Sequence, residues 1–272
     1  MNNTRIAILG AGNIGTAIAN GLVESGRFLA KNITLTRRRI HLLNEMKERG
    51  FIIAKDSREA VRNSEVMIIA VEPQHIDEVL KEINSDLMPE NHVIISVVTG
   101  VTTGQIIKQI NKEIPVVRAM PNIAIAVRES MTCLAANGAN DNVIQIAIEI
   151  FCTVGRTLVI KEEEMIAATA LGACGIAFFM RAIRAASQGG IEIGFHSEDA
   201  LAIAAQTAKG AATLLLTAGH HPEQEIDKVT TPRGCTIAGL NQMEHEGFSS
   251  AMIKGITVSA NKAAKLYSGS EK

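Results

Sequence analysis

This chain carries almost no excess charge of one sign. Its 27 Lys and Arg face 28 Asp and Glu, leaving a formal net charge of −1. No global field therefore draws it to nucleic acid or to an anionic membrane, and neither partner is expected. Cysteine is scarce too: Cys133, Cys152, Cys174 and Cys235 show neither C-x-x-C spacing nor the density of a small secreted domain. Reduced thiols in a cytoplasmic protein are the expectation. The histidines are scattered, His220-His221 is the only adjacent pair and no H-x-x-x-H occurs. Solvated loop histidines are expected, and no metal site. No uninterrupted apolar run reaches the length of a membrane span, and the first strand starts so early that no signal peptide is expected. A solenoid repeat and a long linker are also missing. What remains is 272 residues, 47% hydrophobic and 20% charged, a globular chain with room for one large domain or two modest ones.

The most informative segment lies at the start. Arg5-Ile6-Ala7-Ile8-Leu9 runs into Gly10-Ala11-Gly12-Asn13-Ile14-Gly15 and then Thr16-Ala17-Ile18-Ala19. A short apolar strand meets a G-x-G-x-x-G turn and a helix, the fingerprint of a dinucleotide's pyrophosphate site. Glycines let the backbone approach the phosphates, and the helix N-terminus presents free N–H groups to their charge. Gly10, Gly12, Asn13, Ile14 and Gly15 are therefore candidate cofactor-binding residues. An ordinary Gly-rich strand-to-helix turn is the competing reading.

The first half alternates strands and helices. Strands are expected at Ile6–Leu9, Ile33–Thr36, Ile52–Ala54, Val66–Val71, Val93–Val98, Val116–Met120 and Met131–Ala135, several of them continuous Val and Ile runs. Such runs suit parallel strands covered on both faces. Helical stretches lie between them, and one over Asn142–Thr153 closes this part. The rhythm predicts an α/β, Rossmann-like NAD(P)-binding domain over residues 1–160. From Lys161 strand signals vanish. Glu162–Ala186, Ser197–Ala218 and Phe248–Leu266 read as helices, with a Gly-, Pro- and Thr-rich loop at Thr230–Gly239. Residues 161–272 are expected to form an all-α domain. Ala200–Ala218 is apolar or small nearly all round, so it should be buried on most faces. So short an all-α domain is too small to bury it alone, which predicts a homodimer with these helices between subunits; burial within one chain is the alternative. Whether dimers form a larger ring stays open.

The end of the second strand bears on which dinucleotide binds. Thr36-Arg37-Arg38-Arg39 stands about 20 residues beyond Gly15, where NAD sites carry Asp or Glu for the ribose 2′-OH. Here no carboxylate is present. Guanidinium groups grip a 2′-phosphate with paired hydrogen bonds, and Thr36 adds a hydroxyl. Thr36, Arg37 and Arg38 thus predict NADPH over NADH, against the alternative of a solvated basic cluster at a helix start. Ligands of open α/β sheets sit beyond the strands' carboxyl ends. That brings in Ala70-Val71-Glu72-Pro73, Thr99, Met120 and Asn122.

Taken together, these pieces resemble the pyrroline-5-carboxylate reductases, and the resemblance covers nearly the whole chain. It rests on Gly10–Gly15, Ala70-Val71-Glu72-Pro73, Arg118-Ala119-Met120-Pro121-Asn122, Ala204-Ala205-Gln206-Thr207, His221-Pro222 and above all Val229–Leu240. It implies NADPH-dependent reduction of 1-pyrroline-5-carboxylate to L-proline, with Thr236 beside the imine nitrogen. Thr231, Gly234, Cys235 and Thr99 are implied as further substrate-binding residues. Helix capping would equally explain Thr231 and Thr236. There are departures. The family usually reads Lys at Glu72, Thr-Pro at Ile123-Ala124, and Gly at Arg233, where a tight loop can need positive φ. They keep two alternatives open: a divergent NADP-dependent imine or hydroxy-acid oxidoreductase, and a non-catalytic NADP-binding sensor. Glu162-Glu163-Glu164 reads as a solvated helix start.

Overall fold

A computed structural model describes residues 3–136 and 141–268. The chain divides into two compact units, Met1–Ala173 with Ala260–Lys272, and Cys174–Ser259.

The first unit is built on an eight-stranded sheet of order β3-β2-β1-β4-β5-β6-β7-β8. The strands are β1 (Ile6–Leu9), β2 (Ile33–Thr36), β3 (Ile52–Ile53), β4 (Val66–Ile69), β5 (Val93–Ser96), β6 (Val116–Met120), β7 (Ser130–Ala136) and β8 (Gly155–Val159). All neighbours pair in parallel except β6 and β7. Helices α1 (Asn13–Glu24), α2 (Asn44–Glu48), α3 (Ser57–Arg62), α4 (Ile76–Ile83), α5 (Thr103–Ile110) and α6 (Asp141–Phe151) connect them.

The alternation of a strand explains the two cores. Ile6 and Ile8 of β1 join Ile18 and Leu22 of α1 and Phe151 of α6 on one face. Ala7 and Leu9 join Val61 of α3, Leu80 of α4 and Ile106 of α5 on the other. Four successive buried residues in β1 are what a central parallel strand requires. The strand order reverses between β1 and β4, which opens a crevice at their carboxyl ends. α5 shows how closely sequence dictates a helix start: Thr102 accepts from Gln105 N–H, and the Gln105 side chain accepts from Thr102 N–H.

The strand at Gly155–Val159 was not expected, and the helical stretch between β2 and β3 opens as a 3-10 turn at Ile40–Leu43 before α2. Beyond β8, Glu162–Glu164 forms a 3-10 turn, followed by α7 (Met165–Ala168) and a π segment at Thr169–Cys174. Glu162 departs from the solvated role expected of the Glu162–Glu164 run. Its Oε1 lies 3.2 Å from Arg118 Nη1 and accepts from Thr103 N–H at 2.8 Å, while Oε2 accepts from the Thr103 hydroxyl. The Arg118 side chain is only 2% exposed, so Glu162 neutralises a buried charge and caps α5.

His92, before β5, is buried and accepts from Met88 N–H through Nδ1. Burial, and then Lys112, push its pKa below the usual histidine value. The unfolded chain therefore binds this proton more readily than the folded one. The stability carried by neutral His92 is complete above the unfolded pKa and is lost as pH falls through the interval below it. Melting temperatures measured from pH 7.5 to 5.5 should fall with acid, and less steeply in His92→Asn, which keeps an acceptor but cannot be protonated there.

The second unit is helical: α8 (Gly175–Glu192), α9 (Ser197–Ala218), α10 (Pro222–Val229), α11 (Cys235–His245) and most of α12 (Phe248–Ser268). α8 and α9 form a hairpin in which Gly190 lets Ala200 come close; a Cβ at 190 would lie 3.1 Å from that of Ala200. Ala200 is the only buried residue among the 22 of α9. Phe179, Leu214, Leu216 and Ile253 also lie open. No uninterrupted apolar run in the sequence is long enough to span a membrane. By length and composition, however, Glu162–Glu192 and Ser197–Ala218 are long and apolar enough, although little of either is buried. The expected loop at Thr230–Gly239 is shorter than predicted, because α11 already begins at Cys235.

Candidate active site

In the first unit, a cleft of about 510 Å³ opens at the carboxyl ends of β1, β2 and β4. Gly10, Gly12, Thr36, Arg37, Arg38, Ala70, Val71 and Glu72 all line it. The glycine turn is pinned to β2, since Gly10 and Ala11 N–H donate to Thr36 carbonyl at 3.1 and 2.9 Å. Gly10 has φ +94, and a Cβ there would stand 2.6 Å from Val71 Cγ1 and 2.8 Å from Ala70 carbonyl oxygen. This position needs glycine for the fold itself. Gly12 is different: a Cβ there would meet nothing within 4 Å. Nothing in the chain requires its missing side chain. It leaves open the approach to the start of α1, where no side chain caps the helix. The first-turn N–H groups of Asn13, Ile14 and Gly15 have no intrahelical carbonyl ahead of them. This cradle fits a pyrophosphate.

The other expected residues fall around it. Asn13 lines a separate groove with Thr16, Asn20 and Arg128. Pro73 opens a 3-10 turn after β4, Thr99 follows β5, and Met120 ends β6 in the interior. Asn122 uses its amide within the chain: Oδ1 accepts from Ala124 N–H at 3.0 Å, and Nδ2 donates to Gly172 carbonyl at 3.3 Å. Lys55, Asp56, Ser57, His75, Glu78, Val79 and Glu82 also line the cleft, and sequence reasoning did not select them. They sit after β3, on α3 and α4, and, for His75, in the 3-10 turn that precedes α4. The rule that ligands gather at strand ends points to the loop after β3 as much as to the others.

The loop Thr230–Gly234 and the start of α11 lie in the second unit. Gly234 N–H donates to Thr231 carbonyl at 2.9 Å, closing a tight turn. A Cβ on Gly234 would come within 2.4 Å of Thr231 Oγ1 and 3.0 Å of Thr231 carbonyl oxygen, so a larger residue would displace the Thr231 hydroxyl. Arg233 has φ 61, in the left-handed region. No side chain caps α11, so the capping alternative for Thr231 and Thr236 is not realised there. Thr231, Cys235 and Thr236 are exposed, and the N–H groups of the first turn face no intrahelical acceptor. The site this makes is suited to a carboxylate, with a hydroxyl at Thr236.

An Arg in left-handed conformation costs about 1–2 kcal/mol. Arg233→Gly should therefore stabilise the protein by about 1 kcal/mol, part of the gain being offset by the looser unfolded chain. A raised urea midpoint at unchanged slope is the result to look for; an unchanged midpoint would show that the turn carries no strain.

Comparison with known proteins closes the assignment. A family model described as pyrroline-5-carboxylate reductase dimerisation matches residues 162–266. One described as NADP oxidoreductase coenzyme F420-dependent matches residues 5–100. Pyrroline-5-carboxylate reductase 2 of Dictyostelium discoideum is 48% identical over 280 residues, which cover 97% of this chain and 93% of that protein. This chain belongs to the pyrroline-5-carboxylate reductase family. Pyrroline-5-carboxylate reductase 1 of the same organism is 53% identical over 274 residues, covering 96% of this chain but 50% of that protein, so the chain spans half of its length. The solved reductase of Coxiella burnetii superposes with a TM-score of 0.91 at 29% identity, covering 97% of this chain and 99% of that one. The open faces of α8 and α9 lie inside the region matched by the dimerisation model. An oxidoreductase fold with a helical dimerisation half is thus the architecture of this chain.

Proposed function

We propose that the protein reduces 1-pyrroline-5-carboxylate to L-proline with NADPH in the cytoplasm, as a homodimer. The observation that carries this reading is family membership over almost the full length of a relative 48% identical, through the Val229–Leu240 loop. The preference for NADPH rests on Thr36, Arg37 and Arg38 at the cleft and on the lack of a carboxylate at the end of β2. The dimer rests on α9, whose apolar surface a second copy covers better than water does. The same cover accounts for two helices apolar enough to span a membrane without calling for one.

Gly10, Gly12 and the first turn of α1 would hold the pyrophosphate. Arg37 and Arg38 would hold the ribose phosphate, with Ala70, Val71, Glu72 and Pro73 along the side. NADPH, when bound, supplies the hydride that the imine carbon takes up. The chain's own residues do the rest. Gly234 N–H already donates to Thr231 carbonyl, so the first-turn N–H groups of Cys235 and Thr236 hold the substrate carboxylate, with Gly234 and Thr231 beside them. The Thr236 hydroxyl orients the imine nitrogen, which ends the reaction with one more proton. A Thr hydroxyl is too weak an acid to give up that proton unaided, so it relays one from water.

The deciding assay follows NADPH oxidation with pyrroline-5-carboxylate as substrate. We expect turnover, a lower KM for NADPH than for NADH, and a loss of about tenfold or more in kcat/KM for Thr236→Ala at unchanged NADPH affinity. Equal KM values would remove the NADPH preference, and unchanged turnover would remove Thr236 from the mechanism.

A further inference from the structure

The charges around the cofactor cleft are not balanced in the same way. Four carboxylates line it, and three of them, Glu82, Asp56 and Glu72, hold hydrogen bonds within the chain. Glu82 accepts from both Ser57 N–H and the Ser57 hydroxyl at 2.9 Å. Asp56 accepts from Glu59 N–H at 2.8 Å at the start of α3. Glu72 accepts from Gln74 at 2.6 Å and lies 3.7 Å from His75, whose other ring nitrogen is 4.0 Å from Glu78. The cations are not engaged. Among the described residues, Arg37, Arg38, Arg39 and Lys55 have no ion-pair partner.

The sheet explains why they gather. β2 and β3 run parallel with Leu35 opposite Ile53, and Ala54 N–H donates to Leu35 carbonyl at 3.0 Å. Carried two residues on, this register sets Lys55 beside Arg37, each just past the end of its strand. Neighbouring strands are about 4.8 Å apart. Two cationic side chains of different reach thus leave adjacent strand ends into one cleft. A guanidinium offers a planar fork, and an ammonium a compact point charge on a flexible stem. Together they fit a phosphate dianion approached from two sides.

We propose that Lys55 is a specificity-determining residue, gripping the 2′-phosphate of the cofactor from the β3 side while Arg37 grips it from the β2 side. This rests on the reading of the cleft as an NADPH site. It adds a second strand end to the selection of NADPH over NADH. Glu59, which accepts from Lys55 backbone N–H at 3.0 Å, holds the loop in place whatever side chain stands there. A substitution at 55 can therefore remove the charge without releasing the loop.

The test is calorimetric titration of the full-length protein with 2′,5′-ADP and with 5′-AMP, which differ by the phosphate in question. Wild type should bind 2′,5′-ADP more tightly. Lys55→Met should weaken 2′,5′-ADP by about tenfold and leave 5′-AMP within about twofold, at an unchanged melting temperature. Lys55→Arg should restore most of the loss. Equal weakening of both ligands, or no change in either, would overturn the role of Lys55 while leaving the cleft's preference standing. A wild type that does not distinguish the two ligands would overturn the NADPH reading, and Lys55's part with it.

Discussion

A Gly12→Val protein should stay folded, within about 1 kcal/mol of its parent, and bind NADPH about a hundredfold more weakly, or not at all. The two halves of that result have separate causes. Gly12 has φ −86 and ψ −152, an extended conformation open to a β-branched residue. A Cβ there meets nothing within 4 Å, so no core is disturbed. Gly12 caps α1 through its backbone alone, so no side-chain cap is lost, and valine's poorer fit at an N-cap costs less than about 1 kcal/mol. The added methyl groups instead fill the space that a pyrophosphate must enter to reach the first turn of α1. Gly10→Val is the informative contrast. Its Cβ collides with Val71 and with Ala70 backbone, at a φ that L-residues avoid. That variant should lose stability as well as binding. Thermal unfolding beside cofactor titration separates the two, and a Gly12→Val protein that binds normally would place the dinucleotide elsewhere.

Glu162→Ala should cost about 2–4 kcal/mol, the largest single-site loss of stability expected outside the apolar core. The carboxylate serves three groups at once: Arg118 guanidinium, Thr103 N–H and Thr103 hydroxyl. Arg118 is almost wholly buried, so removing its acid leaves a desolvated charge with one partner fewer. The Glu162 side chain is 22% exposed, which lets water soften the loss and holds the figure below that of a sealed pair. Glu163, exposed in the same run, is the control, and Glu163→Ala should stay within about 0.5 kcal/mol. Urea unfolding of both variants checks the difference. Equal midpoints would mean that the Arg118 pair contributes nothing net.

These two sites also show what the sequence could disclose. Gly10–Gly15 announced itself because its chemistry is local: strand, turn and helix start are contiguous, and each has a compositional mark. β1, β2 and β6 have the expected bounds because continuous burial writes continuous apolar runs. β8 left no such mark. Gly155-Arg156-Thr157-Leu158-Val159 is an edge strand, paired only with β7 and largely exposed, so neither alternation nor an apolar run distinguishes it. Glu162 could not be told from Glu163 and Glu164, because its partner Arg118 lies 44 residues away and only the fold brings them together. Lys55 was overlooked for a related reason: its neighbour is Arg37 through strand register, not through spacing along the chain. Arg233 was the opposite case. Its unusual residue type was visible, and the structure supplied the φ of 61 that explains why glycine would suit that turn.

The bareness of α9 reaches further than a contact map. One buried residue in 22 means that this helix, packed on α8 along one side, leaves most of its surface without cover from its own chain. Whatever covers it enters the folding equilibrium as a reactant. If the cover is another copy of the chain, stability obeys mass action and has a term in total protein. The melting point then becomes a property of the solution as much as of the molecule, and two laboratories working at different dilutions would measure different proteins.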